Sequence, residues 1–290
     1  MANTIDKPRI ITQVRHAESD YNEGKLLREQ NPTYVEFLKL RDDYIELRNQ
    51  DTSTETFTGF SEETKLALVA AQALGEQLMY DKTFVVGADD ANTDITEYGE
   101  YQALQTGVGL GEEYGDEVPD VIYTSPYLRT KKTLGLLQEG WPQLGDVKVI
   151  QDLRLREQEH GLRTIYADWR VAEVMFPDQK LLRSAQGPYW YRYPQGENVP
   201  DVQERARSMF TTFVREHADQ HVMVITHHLF KLAWRANHER WDDKEFVRQS
   251  RENRPDNCGV TTYAFDKNSG SDGKLVIPTG GYSKVYYDKK

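Results

Sequence analysis

Short β-prone runs recur along the chain, most of them separated by helical stretches, and this alternation restricts the fold more than any other feature. The runs are "RIITQV" (9–14), "DVIYT" (120–124), "VKVIQD" (147–152), "HVMVIT" (221–226), "GVTTYAF" (259–265) and "KLVIP" (274–278). Between them lie "TEYGEYQALQTGVGL", "RTKKTLGLLQ" and "DVQERARSMFTTFVREH". In the last, Val202, Ala206, Met209, Phe210 and Phe213 repeat at helical spacing, with Asp201 as the expected N-cap. Strands alternating with helices predict an α/β fold: three layers, a mostly parallel central sheet and helices on both faces. The last two runs are expected as a peripheral hairpin or edge strands. No internal repeat or long linker appears, so the expectation is a single domain over 1–290, with a helical insertion over about 23–92 after the first strand. Two amphipathic helices fill that insertion, "PTYVEFLKLRDDYIELRNQ" and "SEETKLALVAAQALGEQLM", the second capped by Ser61. The insertion reads as a lid on a site or as a packing or dimerisation element; a homodimer stays open.

The residues that follow the strands carry the chemistry. "RIITQV" runs into Arg15-His16, "DVIYT" leads to Arg129, "VKVIQD" to Glu157, and "HVMVIT" ends at His227-His228. In an open α/β sheet the carboxyl ends of parallel strands open on one crevice. Each residue alone has an ordinary structural explanation, and the force lies in four strands delivering such residues together. Two guanidiniums, Arg15 and Arg129, suit a phosphate group in bidentate grip. Two imidazoles could share the phosphoryl group, one as nucleophile and one as charge stabiliser, and a carboxylic acid could protonate the departing oxygen. No glycine-rich phosphate loop, aspartate cluster or His/Cys metal spacing appears. Adjacent strand residues point to opposite faces, so the His227-His228 pair is not read as a metal site. No metal and no cofactor are expected.

A net charge of −11 argues against nucleic acid or an anionic membrane as the partner. An anionic ligand, a small phosphorylated metabolite or inorganic phosphate, would then need a local cationic pocket. The one cysteine, Cys258, excludes an intrachain disulfide and fits a reducing compartment. With no apolar leader in "MANTIDKPRI" and no membrane-length apolar run, a cytoplasmic location is expected.

With these residues in view, "VRHAESDYN" resembles the Arg-His-Gly-Glu-Ser…Asn signature of the histidine phosphatase (phosphoglycerate mutase-like) superfamily, Ala17 standing in place of the usual Gly. Further blocks follow in the family's order: "DITEYGEYQA", "YTSPYLRTKKT", "LREQEHG", "YRYPQGENVPDVQER" and "VMVITHH". The resemblance implies His16 as the phosphorylated nucleophile. It implies Arg15, Arg129 and His227 as the phosphate pocket with Asn22 as a further donor, and Glu157 as the proton donor and later the base for water. It also implies a phosphomonoester hydrolase working through phosphohistidine. The interval from Leu162 to Asn198 is similar to that of the fructose-2,6-bisphosphatase-like phosphatases, which makes Arg183, Tyr191 and Arg192 candidates for holding the non-reacting part of the substrate. His228 departs from the family pattern and is a further candidate for substrate contact. Two alternatives stand: a cofactor-dependent phosphoglycerate mutase, echoed by "ETFTGFSEE" (55–63), and a non-catalytic regulatory or binding protein on the same fold.

Overall fold

The computed structural model describes residues 7–52, 59–81, 90–166, 168–277 and 282–289. The Phe57-Thr58 pair of the mutase-like stretch lies outside these described residues. The strands are β1 (Ile10–Arg15), β2 (Val121–Thr124), β3 (Val149–Gln151), β4 (His221–Thr226), β5 (Val260–Asp266) and β6 (Lys274–Val276). The helices are α1 (Asp20–Arg28), α2 (Pro32–Thr52), α3 (Glu62–Met79), α4 (Glu97–Tyr114), α5 (Leu128–Gly140), α6 (Trp169–Met175), α7 (Pro177–Trp190), α8 (Val199–Glu216), α9 (His228–Glu239) and α10 (Asp243–Glu252).

The strands form one sheet in the order β3-β2-β4-β1-β5-β6. β1, β2, β3 and β4 run parallel, with Val14 opposite Ile225 and Thr124 opposite Ile225 on the other side. β5 and β6 add antiparallel to the β1 edge, as the hairpin reading expected. The chain visits β1, then β2 and β3, and returns to insert β4 between β2 and β1, so the four parallel carboxyl ends lie along one edge of the sheet.

Strand side chains alternate between the two faces, and the core divides accordingly. Ile11, Val121, Tyr123, Val222 and Val224 meet α8 and α9 through Met209, Phe213, Phe230 and Trp234. Val14, Ile122, Met223 and Ile225 meet α4 and α5 through Leu110, Leu134 and Leu137. Each fully buried Val, Leu, Ile, Met or Phe side chain contributes about 1.5–3 kcal/mol over an exposed one, so both layers are firmly held. α8 begins earlier than expected: Asn198 is the N-cap, and Asp201 sits at the third helical position, accepting from the Asn198 N–H to complete a capping box. The local rule was right and its register three residues late.

The chain divides into two compact units. The sheet unit comprises 1–19, 91–159 and 197–290; the second comprises 20–90 and 160–196. The second is helical, with Tyr34 and Phe37 of α2, Ala71 and Leu78 of α3, and Val171 and Val174 of α6 forming its core. Asp168 is buried there and caps α6, accepting from Arg170 N at 2.7 Å and from the Tyr34 hydroxyl at 3.0 Å, with Arg28 3.7 Å away. The segment 160–196 thus completes the core of the expected insertion. No helix among the described residues is long and apolar enough to cross a membrane.

Candidate functional site

The strand-end residues gather at the carboxyl edge of the sheet unit. β1 delivers Arg15 and His16, the His16 N–H donating to Thr226 O at the end of β4 (2.9 Å). The turn beyond is pinned from several sides. Ala17 N–H donates to Thr133 Oγ1 of α5 (3.0 Å), Glu18 N–H to Gln102 Oε1 of α4 (2.8 Å), and the Asn257 amide to His16 O (3.1 Å). Ala17 keeps an ordinary negative φ, so the alanine in place of the motif's glycine needs no left-handed backbone. Gly99 of α4 lies against the Glu18 backbone, where a Cβ would overlap the Glu18 carbonyl. The close approach of helix and turn explains that glycine.

His16 is almost wholly buried. Its Nδ1 lies 2.7 Å from Ala17 O, and a carbonyl can only accept, so Nδ1 carries the proton and Nε2 keeps its lone pair. Burial, and then the positive charges of Arg129 and Arg15, push its basicity well below that of an ordinary imidazole. The His227 ring stands 5.2 Å away, centroid to centroid, and is fully buried. Its Nε2 is 2.8 Å from Ser125 Oγ, its Nδ1 is buried without a hydrogen-bond partner, and burial followed by Arg129 lowers its pKa well below the usual value. Both imidazoles are therefore neutral at physiological pH.

Arg15 donates to Pro255 O (2.8 Å), and its Nε is buried without a partner. Burial lowers its pKa, while Glu157 opposes that shift and Arg129 adds to it, which places the three charges within electrostatic reach of one another. Arg129 is buried in the first turn of α5, its guanidinium 5.0 Å from the Tyr127 ring. Glu157 follows β3 and a short 3-10 turn; Gln158 N–H (3.0 Å) and Leu229 N–H (3.1 Å) both donate to its Oε1. His228 opens α9, its Nε2 buried without a partner, and burial and then Arg15 and Arg254 lower its pKa well below the usual value.

The structure thus brings Arg15, His16, Arg129, Glu157, His227 and His228 together in the sheet unit. The remaining candidates belong to the helical unit. Asn22 lies in α1. Arg183 is in α7, 3.7 Å from Glu173. Tyr191 is buried, its hydroxyl donating to Gln179 Oε1 (3.1 Å), and Arg192 is exposed, donating to Gly196 O (3.4 Å). Arg183 and Tyr191 line a cavity within that unit, together with Arg163, Glu173 and Tyr193. Sequence reasoning passed over Ser125, Thr133 and Gln102 as functional positions. Each sits in a quoted block, but its partner lies tens of residues away, and spacing alone does not show such bonds.

With the geometry in hand, comparison with known proteins defines the class. The profile of the Histidine phosphatase superfamily (branch 1) matches residues 80–272, about two thirds of the chain, and the protein belongs to that family. The match begins after β1; the fold carries Arg15 and His16 to the edge where Arg129, Glu157 and His227 lie. Among similar proteins is the Arabidopsis thaliana phosphoglycerate mutase-like protein AT74H, 26% identical over 55% of this chain and 60% of that protein. The broad-range acid phosphatase DET1 of Saccharomyces cerevisiae is 23% identical over 84% of this chain and 82% of its own. Against the plant relative and a second one, AT74, the chain spans less than two thirds of their length. A mycobacterial glucosyl-3-phosphoglycerate phosphatase, solved with inorganic phosphate, shares the fold at a TM-score of 0.55 and 16% identity, covering 96% of this chain and 98% of that one.

Proposed function

We propose that the chain is a phosphomonoester hydrolase acting on a small phosphorylated metabolite through a phosphohistidine intermediate, without a metal or cofactor. The observation that carries this reading is His16: a buried, neutral imidazole with its proton fixed on Nδ1 by Ala17 O, beside two buried arginines and a second imidazole. A nucleophilic imidazole needs its lone pair available at neutral pH, and Arg15 and Arg129 supply that as well as the countercharge for phosphate oxygens.

In this mechanism Nε2 of His16 attacks phosphorus, the bond from phosphorus to the ester oxygen breaks, and Glu157 gives that oxygen its proton. The Gln158 N–H reaches Oε1 of Glu157 and the Leu229 N–H reaches both carboxylate oxygens, at 3.1 and 3.4 Å, so these backbone donors orient the carboxyl for the transfer. The carboxylate then takes a proton from water as the water oxygen attacks the phosphohistidine, releasing inorganic phosphate and restoring His16. Arg15, Arg129 and the neutral His227 hold the equatorial oxygens as charge redistributes, the dominant requirement of phosphoryl transfer. His228, in the same unit as His16, contacts the rest of the substrate, and the resemblance adds Asn22, Arg183, Tyr191 and Arg192 as candidates for binding it. Phosphatases among the relatives, including phosphoserine phosphatase 1 of Hydrogenobacter thermophilus, 29% identical over 46% of this chain, support hydrolysis over isomerisation. Metal independence is the part of this reading that the chelator in the assay below tests directly.

The test is a panel of phosphorylated metabolites assayed with a chelator present, scored for free phosphate and for isomerised product. Phosphate release that survives chelation, an acid-labile phosphoprotein, and the loss of both in His16→Ala are expected. Full turnover by His16→Ala would sink the mechanism. Isomerised product without phosphate release would replace it with the mutase reading, and no turnover with no phosphoprotein would leave a binding protein.

A further inference from the structure

Helix α9 holds a lysine that the proposed chemistry leaves idle. Lys231 is wholly buried, between the equally buried Phe230 and Leu232. Taking an ammonium out of water is unfavourable, and a methionine of similar length would pack there without that cost. What the lysine meets instead is a pair of backbone carbonyls. Its Nζ donates to Gln13 O of β1 (3.1 Å) and to Gly259 O just before β5 (2.6 Å). Burial and then Arg15 lower its pKa well below that of an ordinary amine, and the neutral form still has an N–H group for each carbonyl.

Both carbonyls lie where β1 runs out into the candidate site. The β1–β5 ladder ends at Val14 opposite Val260, and one residue on the Arg15 N–H donates to the same Gly259 O at 3.2 Å. Lys231 therefore bridges the two strands at the point where they part. Behind Gly259 is a turn, the Gly259 N–H donating to Asp256 O (3.0 Å), with Cys258 in the left-handed region at φ 49°. A residue with a Cβ occupies that region only where its surroundings hold it there. The segment 255–259 reaches back to the site at three points. Pro255 O accepts from Arg15 Nη1 (2.8 Å), and the Asn257 amide (3.1 Å) and the Cys258 N–H (3.3 Å) both donate to His16 O. We propose that Lys231 is a positioning residue for Arg15 and His16, fastening the 256–259 turn to the end of β1 so that guanidinium and imidazole keep their spacing. Its part in turnover rests on the phosphohistidine chemistry proposed for His16.

Lys231→Met keeps the length of the side chain and removes the donors. Folded, with the parent's near-UV spectrum, it should lose about tenfold or more in kcat on a phosphomonoester and bind inorganic phosphate about tenfold or more weakly. Lys231→Arg, which keeps donors, should recover most of both. A role in stability alone would lower the urea midpoint and leave kcat and the phosphate Kd of the folded variant at parent values; that result overturns the proposal. If Lys231→Met does not fold, Lys231→Gln takes its place, polar but a bond too short to reach both carbonyls, with the same losses expected. Hydrogen exchange reads the anchor without the chemistry. The Arg15 and Cys258 amides should exchange about tenfold or more faster in the variant than in the parent, beyond any change at Ile122 of β2, whose N–H donates to Lys148 O. The same acceleration at all three overturns the proposal. A parent that neither releases phosphate nor binds it would sink the phosphatase reading, and the exchange rates would then decide the anchoring role by themselves.

Discussion

The geometry at His16 turns on one proton. With Nδ1–H committed to Ala17 O, the ring is neutral and singly tautomeric, and the lone pair lies on the nitrogen that would attack. His227 has no such carbonyl; its orientation rests on Ser125 Oγ at 2.8 Å. Ser125 touches neither nucleophile nor acid in this reading and is a positioning residue. Ser125→Ala should lower kcat by about ten- to a hundredfold through misorientation of His227, with KM nearly unchanged. Ser125→Thr, which keeps the hydroxyl, should recover most of it, and a Ser125→Ala variant as fast as the parent would remove the role. Glu157→Gln keeps the Oε1 acceptor for the backbone donors and removes the transferable proton. It should slow hydrolysis of alkyl phosphates by two or more orders of magnitude. An aryl phosphate whose leaving group needs no proton should be affected far less, and equal losses for both would count against the acid role.

At the level of elements, α5 ties Arg129 to the turn that carries His16. Its first turn carries Arg129, and Thr133, one turn on, donates to Arg129 O at 2.6 Å while accepting from Ala17 N–H at 3.0 Å. The helix spacing of four thus links the arginine to the turn that holds His16. Thr133→Val preserves shape and removes the acceptor, leaving the buried Ala17 N–H unpaired. The expected cost is about 1–3 kcal/mol of stability, read as a lower denaturation midpoint, together with reduced turnover because the His16 turn is loosened. An unchanged midpoint would show that the Ala17 N–H is not confined as described.

At the level of the whole molecule, the sheet was legible because each strand is a short β-prone run set between helical or turn stretches, four of them followed by a charged or imidazole candidate. β5 and β6 were readable as an edge pair for the same reason. What was not legible is pairing at a distance. Nothing near Asp168 in the sequence announces Tyr34 and Arg28 as its partners, so 160–196 could not be assigned to the core of the helical unit beforehand. The same holds for Thr133 with Ala17 and Ser125 with His227, where one residue of each pair was recognised and the bond was not. The histidines show a further property visible only in the fold, since burial is a property of the whole chain. His221, 2.9 Å from Thr12 Oγ1 in the core, is pushed down to about 4 by burial and then by Arg9. His16, His227 and His228 are likewise lowered well below the usual imidazole value, burial being the largest cause for each. In the unfolded chain all titrate near pH 6.5, so between about 6.5 and 4 the unfolded state binds more protons than the folded one. Stability must then fall as pH falls through that window, by up to about 1.4 kcal/mol per pH unit for each such histidine, and must level off above pH 7. Urea midpoints at pH 7.5, 6.0 and 5.0 should therefore decline well before the carboxylates titrate. His221→Gln keeps a partner for Thr12 and should lessen the decline by one histidine's share. A midpoint that holds steady from pH 7.5 to 5.0 would mean that these imidazoles become charged within the fold, and the neutral His16 on which the chemistry depends would go with it.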